Sequence, residues 1–206
     1  MPNIHTDNEI ESLAHAIEKM SEDMRDYVNN ILVTERELAR MNVLAHKDAL
    51  THVKNKTAYE LYSNELQQHM AQERVEFAIL MADVNGLKQI NDAYGHERGD
   101  LYLKKSCAVL CQVFKHSPIF RIGGDEFVAV LSGEDYGKRE ELLMHAREEY
   151  QCAQKQPEAA PWEMASVAMG LAEYDPGTDQ SVQAVFERAD RNMYQDKDRL
   201  KSGASR

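Results

Sequence analysis

The chain has 206 residues, 43% of them hydrophobic and 29% charged, with a formal net charge of −11 and three cysteines. That is enough apolar material for one core plus an appendage, and no apolar run approaches the ~20 residues a membrane span needs. The acidic balance excludes tracking a nucleic-acid backbone, which calls for clustered Lys and Arg, but not a small nucleotide held through a cation.

Residues 7–47 contain neither Gly nor Pro. Every seventh residue from Ile10 is apolar (Ile10, Ile17, Met24, Ile31, Leu38, Ala45). The companion set three residues on (Leu13, Met20, Tyr27, Thr34, Met41) is apolar except at Thr34. This 3-4 spacing predicts a long helix with a coiled-coil seam, started by Thr6 or Asp7 as cap, and a homodimer through residues 10–45. The competing reading is an amphipathic helix folded onto its own domain. Flanking positions show no complementary charge code. A boundary is expected near residue 47, dividing 1–47 from 48–206.

Beyond it, the pattern predicts a helix over 55–72, a buried strand over 77–83 and a helix over 96–114. Two short strands follow at 119–122 and 126–131, joined by a tight turn at Gly123-Gly124-Asp125. A helix over 136–154, a strand over 164–173 and a helix over 182–200 complete the chain. Helices mixed with hairpin strands indicate an α/β (α+β) layered sheet. Residues 83–100, polar and with three glycines, read as the connection leaving the first strand. Trp162, after Pro161, is expected against the sheet edge. Cys107, Cys111 and Cys152 have no disulfide or zinc spacing and read as reduced thiols in a cytoplasmic protein. No basic stretch followed by an apolar run marks a secretory signal at the N-terminus.

Asp83 ends an apolar strand, and Asp125 and Glu126 sit at a hairpin tip. Each alone is ordinary: a strand-end acid caps a turn. Together they matter, because neighbouring strands lie ~4.8 Å apart. Adjacent carboxylates raise each other's pKa unless a cation lies between them, and hard oxygen ligands suit Mg²⁺ with substrate phosphates. Gly123 and Gly124 let a ligand approach the backbone. Lys88 suits a phosphate, and Asn91 and Asp100 suit a base edge.

These residues carry a resemblance. Arg121-Ile-Gly-Gly-Asp-Glu-Phe127, with Asp83–Asp100, resembles the GGDEF family of diguanylate cyclases. Asp48-Ala-Leu-Thr-His-Val-Lys-Asn55 is similar to the family's D-x-L-T-x-x-x-N entry. Ala189-Asp-Arg-Asn-Met-Tyr-Gln-Asp-Lys197 is similar to A-D-x-A-[LM]-Y-x-A-K. The resemblance implies a mostly antiparallel sheet flanked by helices, like nucleotidyl cyclases and polymerase palms, preceded by the coiled-coil helix. It implies condensation of two GTP into cyclic di-GMP with release of two pyrophosphates. Asp83, Asp125 and the Val84 carbonyl would hold Mg²⁺, with Mn²⁺ as the alternative ion. Asp125 would accept the proton of the attacking 3′-hydroxyl, Glu126 would support the metal site, and Lys88 would stabilise phosphate charge. Asn91 and Asp100 would recognise guanine, His96 would line the site beside Gly123 and Gly124, and Lys197 and Lys201 would touch phosphates.

Four departures stand out. Asn85 replaces a frequent second Asp, Leu87 replaces a Phe, and Lys201 stands where the family often has Arg. The family's product-inhibition motif R-x-x-D falls at Phe114-Lys-His-Ser117, so the usual feedback site is expected to be missing. The alternative is a catalytically degenerate GGDEF module that binds GTP or scaffolds; a cyclase taking ATP as one substrate is a lesser rival, opposed by Asp100. The stretch 7–20 is also similar to the second helix of a HAMP signal-relay module, which implies that this chain is the output part of a longer receptor.

Overall fold

The computed structural model describes residues 6–72 and 75–203. The side chains of 6–9, 38, 39, 71, 72 and 203 are outside that description, and with them the expected Thr6 or Asp7 cap and the Leu38 seam position. Two compact units are present, residues 1–45 and 46–206.

The first unit is one helix, α1 (Thr6–Ala45). At ~1.5 Å per residue it is about 60 Å long. Its seam residues lie open: Ile10 is 65% exposed, Met24 60% and Tyr27 65%. Thr34, the polar member of the seam, turns its hydroxyl back onto the Asn30 carbonyl at 2.8 Å. That bond satisfies the hydroxyl within its own helix, so it needs nothing from across the seam.

The second unit begins with a tight loop. Asp48 N–H donates to the Val53 carbonyl and His52 N–H donates to the Asp48 carbonyl, with His52 in the left-handed region at φ 62°. Then follow β1 (Lys54–Asn55), α2 (Lys56–Gln72), β2 (Ala78–Val84), α3 (Leu87–Tyr94), α4 (His96–Val113), β3 (Ile119–Arg121), β4 (Glu126–Leu131), α5 (Gly133–Gly137), α6 (Arg139–Gln154), a single 3-10 turn (Pro161–Glu163), β5 (Val167–Glu173) and α7 (Val182–Gly203). The five strands run in the order β1-β3-β4-β2-β5. Among the described residues only β1 and β3 pair in parallel; the other neighbours are antiparallel. This is the α/β layered sheet that the pattern indicated, mostly antiparallel as the resemblance implied.

Every residue of β2 is buried, because helices cover both of its faces. Ala78, Leu80, Ala82 and Val84 face a cluster with Tyr102, Leu103 and Leu110 of α4 and Leu143, Ala146 and Tyr150 of α6. Ile79 and Met81 face Val185, Ala189 and Met193 of α7. A strand covered on both sides reads as a continuous apolar run, which is what the sequence shows. Asp83 shares the α7-facing parity, so the fold itself turns the strand-end acid towards that helix.

Three local expectations are corrected. The segment after β2 is not a plain connection: eight of its residues form α3, bracketed by Gly86 (φ 76°) and Gly95 (φ 82°). The strand expected from 164 starts at Val167, because Pro161 sets up a 3-10 turn just before it. The single helix expected over 136–154 is two, α5 ending at Gly137 and α6 starting at Arg139. Trp162 packs against the core cluster that holds β2, β4 and β5 residues, edge-to-face on Tyr94 and against the Arg98 guanidinium, 4.5 Å from the ring centre. A cation over an indole face adds of the order of 1 kcal/mol.

Candidate active site

The pairing of β2 with β4 sets Asp83 directly opposite Glu126. Val84 N–H donates to the Asp125 carbonyl at 2.9 Å, and Ile122 N–H donates to the Glu126 carbonyl at 3.0 Å. The hairpin tip is therefore tied to the end of β2 by backbone bonds. The Glu126 carboxylate folds over Gly123: a Cβ there would stand 2.3 Å from Glu126 Oε2. Asp83 is only 6% exposed, and the Lys197 ammonium of α7 donates to its Oδ1 at 2.7 Å. Burial raises the Glu126 pKa, and the charges of Asp125, Asp83 and Asp190 raise it further against the pull of Lys197.

That mutual repulsion is the test of whether a cation suits this site. Asp83 at the end of β2 and Asp125 in the turn before β4 push up the proton affinity of Glu126, and all the donors are hard oxygens. A divalent ion relieves such a cluster, so Asp83, Asp125 and the Val84 carbonyl fit one, with Glu126 beside them. Among the described residues no three His, Cys, Asp or Glu side chains form a ready-made ligand set; the triad here is two carboxylates and a carbonyl.

Next to the acids lies a cleft of about 450 Å³, lined by Val84, Asn85, Gly86, Leu87, Lys88, Gln89, Asp125, Ser166, Lys197, Leu200 and Lys201. Three ammonium groups, Lys88, Lys197 and Lys201, thus face one opening against one hairpin acid. Asn91 lies on α3 one turn beyond Leu87 and Lys88, on the same helix face. Its amide rests on Gly99 of α4, where a Cβ would lie 1.8 Å from Asn91 Oδ1. Gly99 brings Asn91 up against the residue before Asp100. His96 opens α4 and is exposed. Asn91, His96 and Asp100 do not line the cleft itself, and Gly124 is exposed at the tip.

The departures have structural counterparts. The Asn85 amide donates to Ser166 Oγ at 3.2 Å, its N–H donates to the Ser166 carbonyl at 2.8 Å, and its carbonyl accepts the Tyr102 hydroxyl. It pins the cleft floor to the segment before β5. At 114–117, Phe114 is in the core, while His116 N–H and Ser117 Oγ donate to the buried Asp135 carboxylate.

Two arrangements escaped the sequence reading. In the first, Asp48 accepts from Thr51 N–H and Oγ and from Arg121 Nη1 at 3.0 Å, and Arg121 Nη2 donates to the Gly124 carbonyl at 2.6 Å. Burial by itself would raise the Asp48 pKa, but these donors outweigh it and hold the carboxyl below its ordinary range. Asp48 and Arg121 form a strut under the turn; both residues stood in recognised motifs, but nothing in either motif pairs them. In the second, α7 lies so close to β5 that a Cβ on Gly170 would stand 2.0 Å from the Met193 nitrogen. Arg188 donates to the Glu173 carbonyl, Asn192 to the Leu171 carbonyl, and Asp196 accepts from Met169 N–H. Four helix residues advance ~6 Å and two strand residues ~6.8 Å, so one helix row reaches alternate strand residues. Asn192 and Asp196 stand where the resembled motif has alanine.

Residues 45–202 match the family model for the diguanylate cyclase GGDEF domain. This chain belongs to the GGDEF family. It is 31% identical over 180 residues to the bifunctional diguanylate cyclase/cyclic di-GMP phosphodiesterase MucR of Pseudomonas aeruginosa, covering 83% of this chain and 25% of that protein. It is 25% identical over 169 residues to the diguanylate cyclase DgcS of Shewanella oneidensis, covering 81% of this chain and 54% of that protein. Among solved structures, the coiled coil and GGDEF domain of DgcB from Caulobacter crescentus, in complex with c-di-GMP, matches with a TM-score of 0.72 at 23% identity. That match covers 86% of this chain and 94% of the other, and it is a likeness of fold. The GGDEF chain spans between 19% and 54% of its first four curated relatives. No helix among its described residues is long and apolar enough to cross a membrane.

Proposed function

We propose that this GGDEF protein is a diguanylate cyclase that condenses two GTP into cyclic di-GMP, releasing two pyrophosphates, as a dimer joined through residues 10–45. The observation that carries the reading is the meeting of Asp83, Asp125 and Glu126 beside a lysine-lined cleft. Asp83, Asp125 and the Val84 carbonyl are the groups for Mg²⁺ or Mn²⁺, which when bound would neutralise charge on the phosphates. Lys88, Lys197 and Lys201 hold the triphosphate, and Lys197 exchanges part of its bond to Asp83 for a phosphate oxygen. Asn91 and Asp100 take the guanine edge, with His96 beside them. Asp125 takes the proton of the 3′-hydroxyl as its oxygen bonds to the α-phosphorus of the second nucleotide. The bond from that phosphorus to the bridging oxygen then breaks and pyrophosphate leaves; the same exchange in the other direction closes the ring. Phosphoryl transfer of this kind depends on positioning and charge rather than covalent help.

One unit supplies one nucleotide, so the reaction needs two units. The open seam of α1 supports the dimer: Tyr27, Asn30, Ile31, Thr34 and Glu35 border one shallow hollow, and the first four have the i, i+3, i+4, i+7 spacing of a hole that receives a knob in coiled-coil packing. Linking the units raises their effective concentration. Cyclic product formed from GTP and Mg²⁺ should rise faster than linearly with protein concentration. Asp125→Ala should lower turnover by at least ~10²-fold, the scale of removing one preorganised electrostatic group. GTP binding without cyclic product in the unaltered chain would instead make it a degenerate, nucleotide-binding module.

A further inference from the structure

Cys107 and Cys111 lie one turn apart on α4, with their sulfurs 3.9 Å from each other. One is buried and the other exposed, so a reagent from solvent reaches Cys111 while Cys107 waits behind it. The Cys107 sulfur also faces the Thr51 side chain, and the Asp48 charge lies close by. Thr51 and Asp48 are two of the groups in the strut that ends on the Gly124 carbonyl. The dithiol therefore backs directly onto the hydrogen bonds that hold the glycine turn.

We propose that Cys107 and Cys111 form an oxidisable dithiol, a modification site that a peroxide closes into an intrahelical disulfide and that loosens the Asp48–Arg121 strut when closed. The Cys111 thiolate attacks one peroxide oxygen; the O–O bond breaks, hydroxide leaves and Cys111 becomes a sulfenic acid. The Cys107 sulfur then attacks the Cys111 sulfur; the S–O bond breaks, and the departing hydroxide takes the Cys107 proton as water. Two thiols lose two electrons and the peroxide gains them.

The two sulfurs suit these roles. A hydrogen bond from the Cys107 thiol lowers the Cys111 pKa to about 7, against the effect of burial, which keeps a substantial thiolate fraction at neutral pH. That same bond, together with burial, holds Cys107 protonated, so it resolves rather than initiates. Closure has a structural consequence. Cβ atoms at i and i+4 in a helix lie ~5–6 Å apart, whereas a disulfide wants ~3.5–4.5 Å. The turn must tighten, and it lies at the C-terminal end of α4, two residues before Val113. Tightening draws Cys107 away from Thr51. A strained disulfide is also readily reduced, which makes the site reversible.

The test uses the full chain carrying Cys152→Ser, so that only the pair remains, and does not depend on cyclase turnover. After stoichiometric hydrogen peroxide, the tryptic peptide 106–115, which holds both cysteines, should be two hydrogens lighter and regain them with dithiothreitol. Amide hydrogen exchange over 121–126 should speed several-fold in the oxidised protein. With Cys111→Ser, a surface change, neither effect should occur. A sulfenic or sulfinic acid on Cys111 alone, or a disulfide between two chains, overturns the site. A closed disulfide with unchanged exchange at the turn overturns its link to the strut.

Discussion

β2 and α1 are both rich in large apolar residues, yet they meet opposite fates. The residues of β2 are closed off by helices on both faces, whereas the seam of α1 lies open to solvent within a single chain. The difference follows from periodicity. A continuous apolar run is satisfied by two layers of its own chain, while a narrow stripe repeating every 3.5 residues over some 60 Å suits only another helix of the same kind. Apolar side chains thus meet two fates here: those of β2 are enclosed by their own chain, and those of the α1 seam are left open to solvent by it.

Truncations should separate the two. Phe127, fully buried next to the acid hairpin, should lose ~3–5 kcal/mol of unfolding free energy as Phe127→Ala, read by denaturant unfolding. Ile17→Ala should leave the unfolding of residues 46–206 where it was, because no side chain of that unit's core is altered. A smaller effect, ~1–3 kcal/mol, is expected for Gly170→Ala, since an added methyl meets helix backbone and forces α7 outwards. Its signature is specific: Lys197 moves with α7, so GTP binding measured calorimetrically should weaken along with stability.

The smallest effect is the sharpest in sign. Asp48 and Glu126 flank one turn with pKa values displaced in opposite directions. Asp48 adds stability that is complete above the ordinary carboxylate range and is lost as pH falls through its lowered pKa. Glu126 does the reverse: stability is complete below the ordinary glutamate range and declines as pH rises through its raised pKa. Melting temperature against pH should therefore lose part of its acid-side fall in Asp48→Asn and part of its decline above the glutamate range in Glu126→Gln. Identical pH profiles for both variants would contradict this pairing.

Most of the sheet and its helices could be read from the chain because burial leaves a periodic trace: β2, β4, α4, α6 and α7 all carry one. α3 left none strong enough. It buries no residue completely and is defined by glycines at its ends, which read equally well as loop residues. β1 is two residues long and owes its existence to its partner β3. Of the site, the acids and lysines were visible as motif letters. What pairs them was not: Asp48 with Arg121, or Asn85 with Ser166, join residues 73 and 81 positions apart. Such partners are chosen by tertiary packing, and a single sequence carries no period that announces them.

The row on α7 that reaches Glu173, Leu171 and Met169 has one more consequence. An outer strand with idle amides and carbonyls is an invitation to a neighbouring molecule to add a strand of its own. Here guanidinium, carboxamide and carboxylate groups already occupy that rim, and the opposite border ends in a strand of only two residues. Growth by sheet extension is thereby discouraged at both margins.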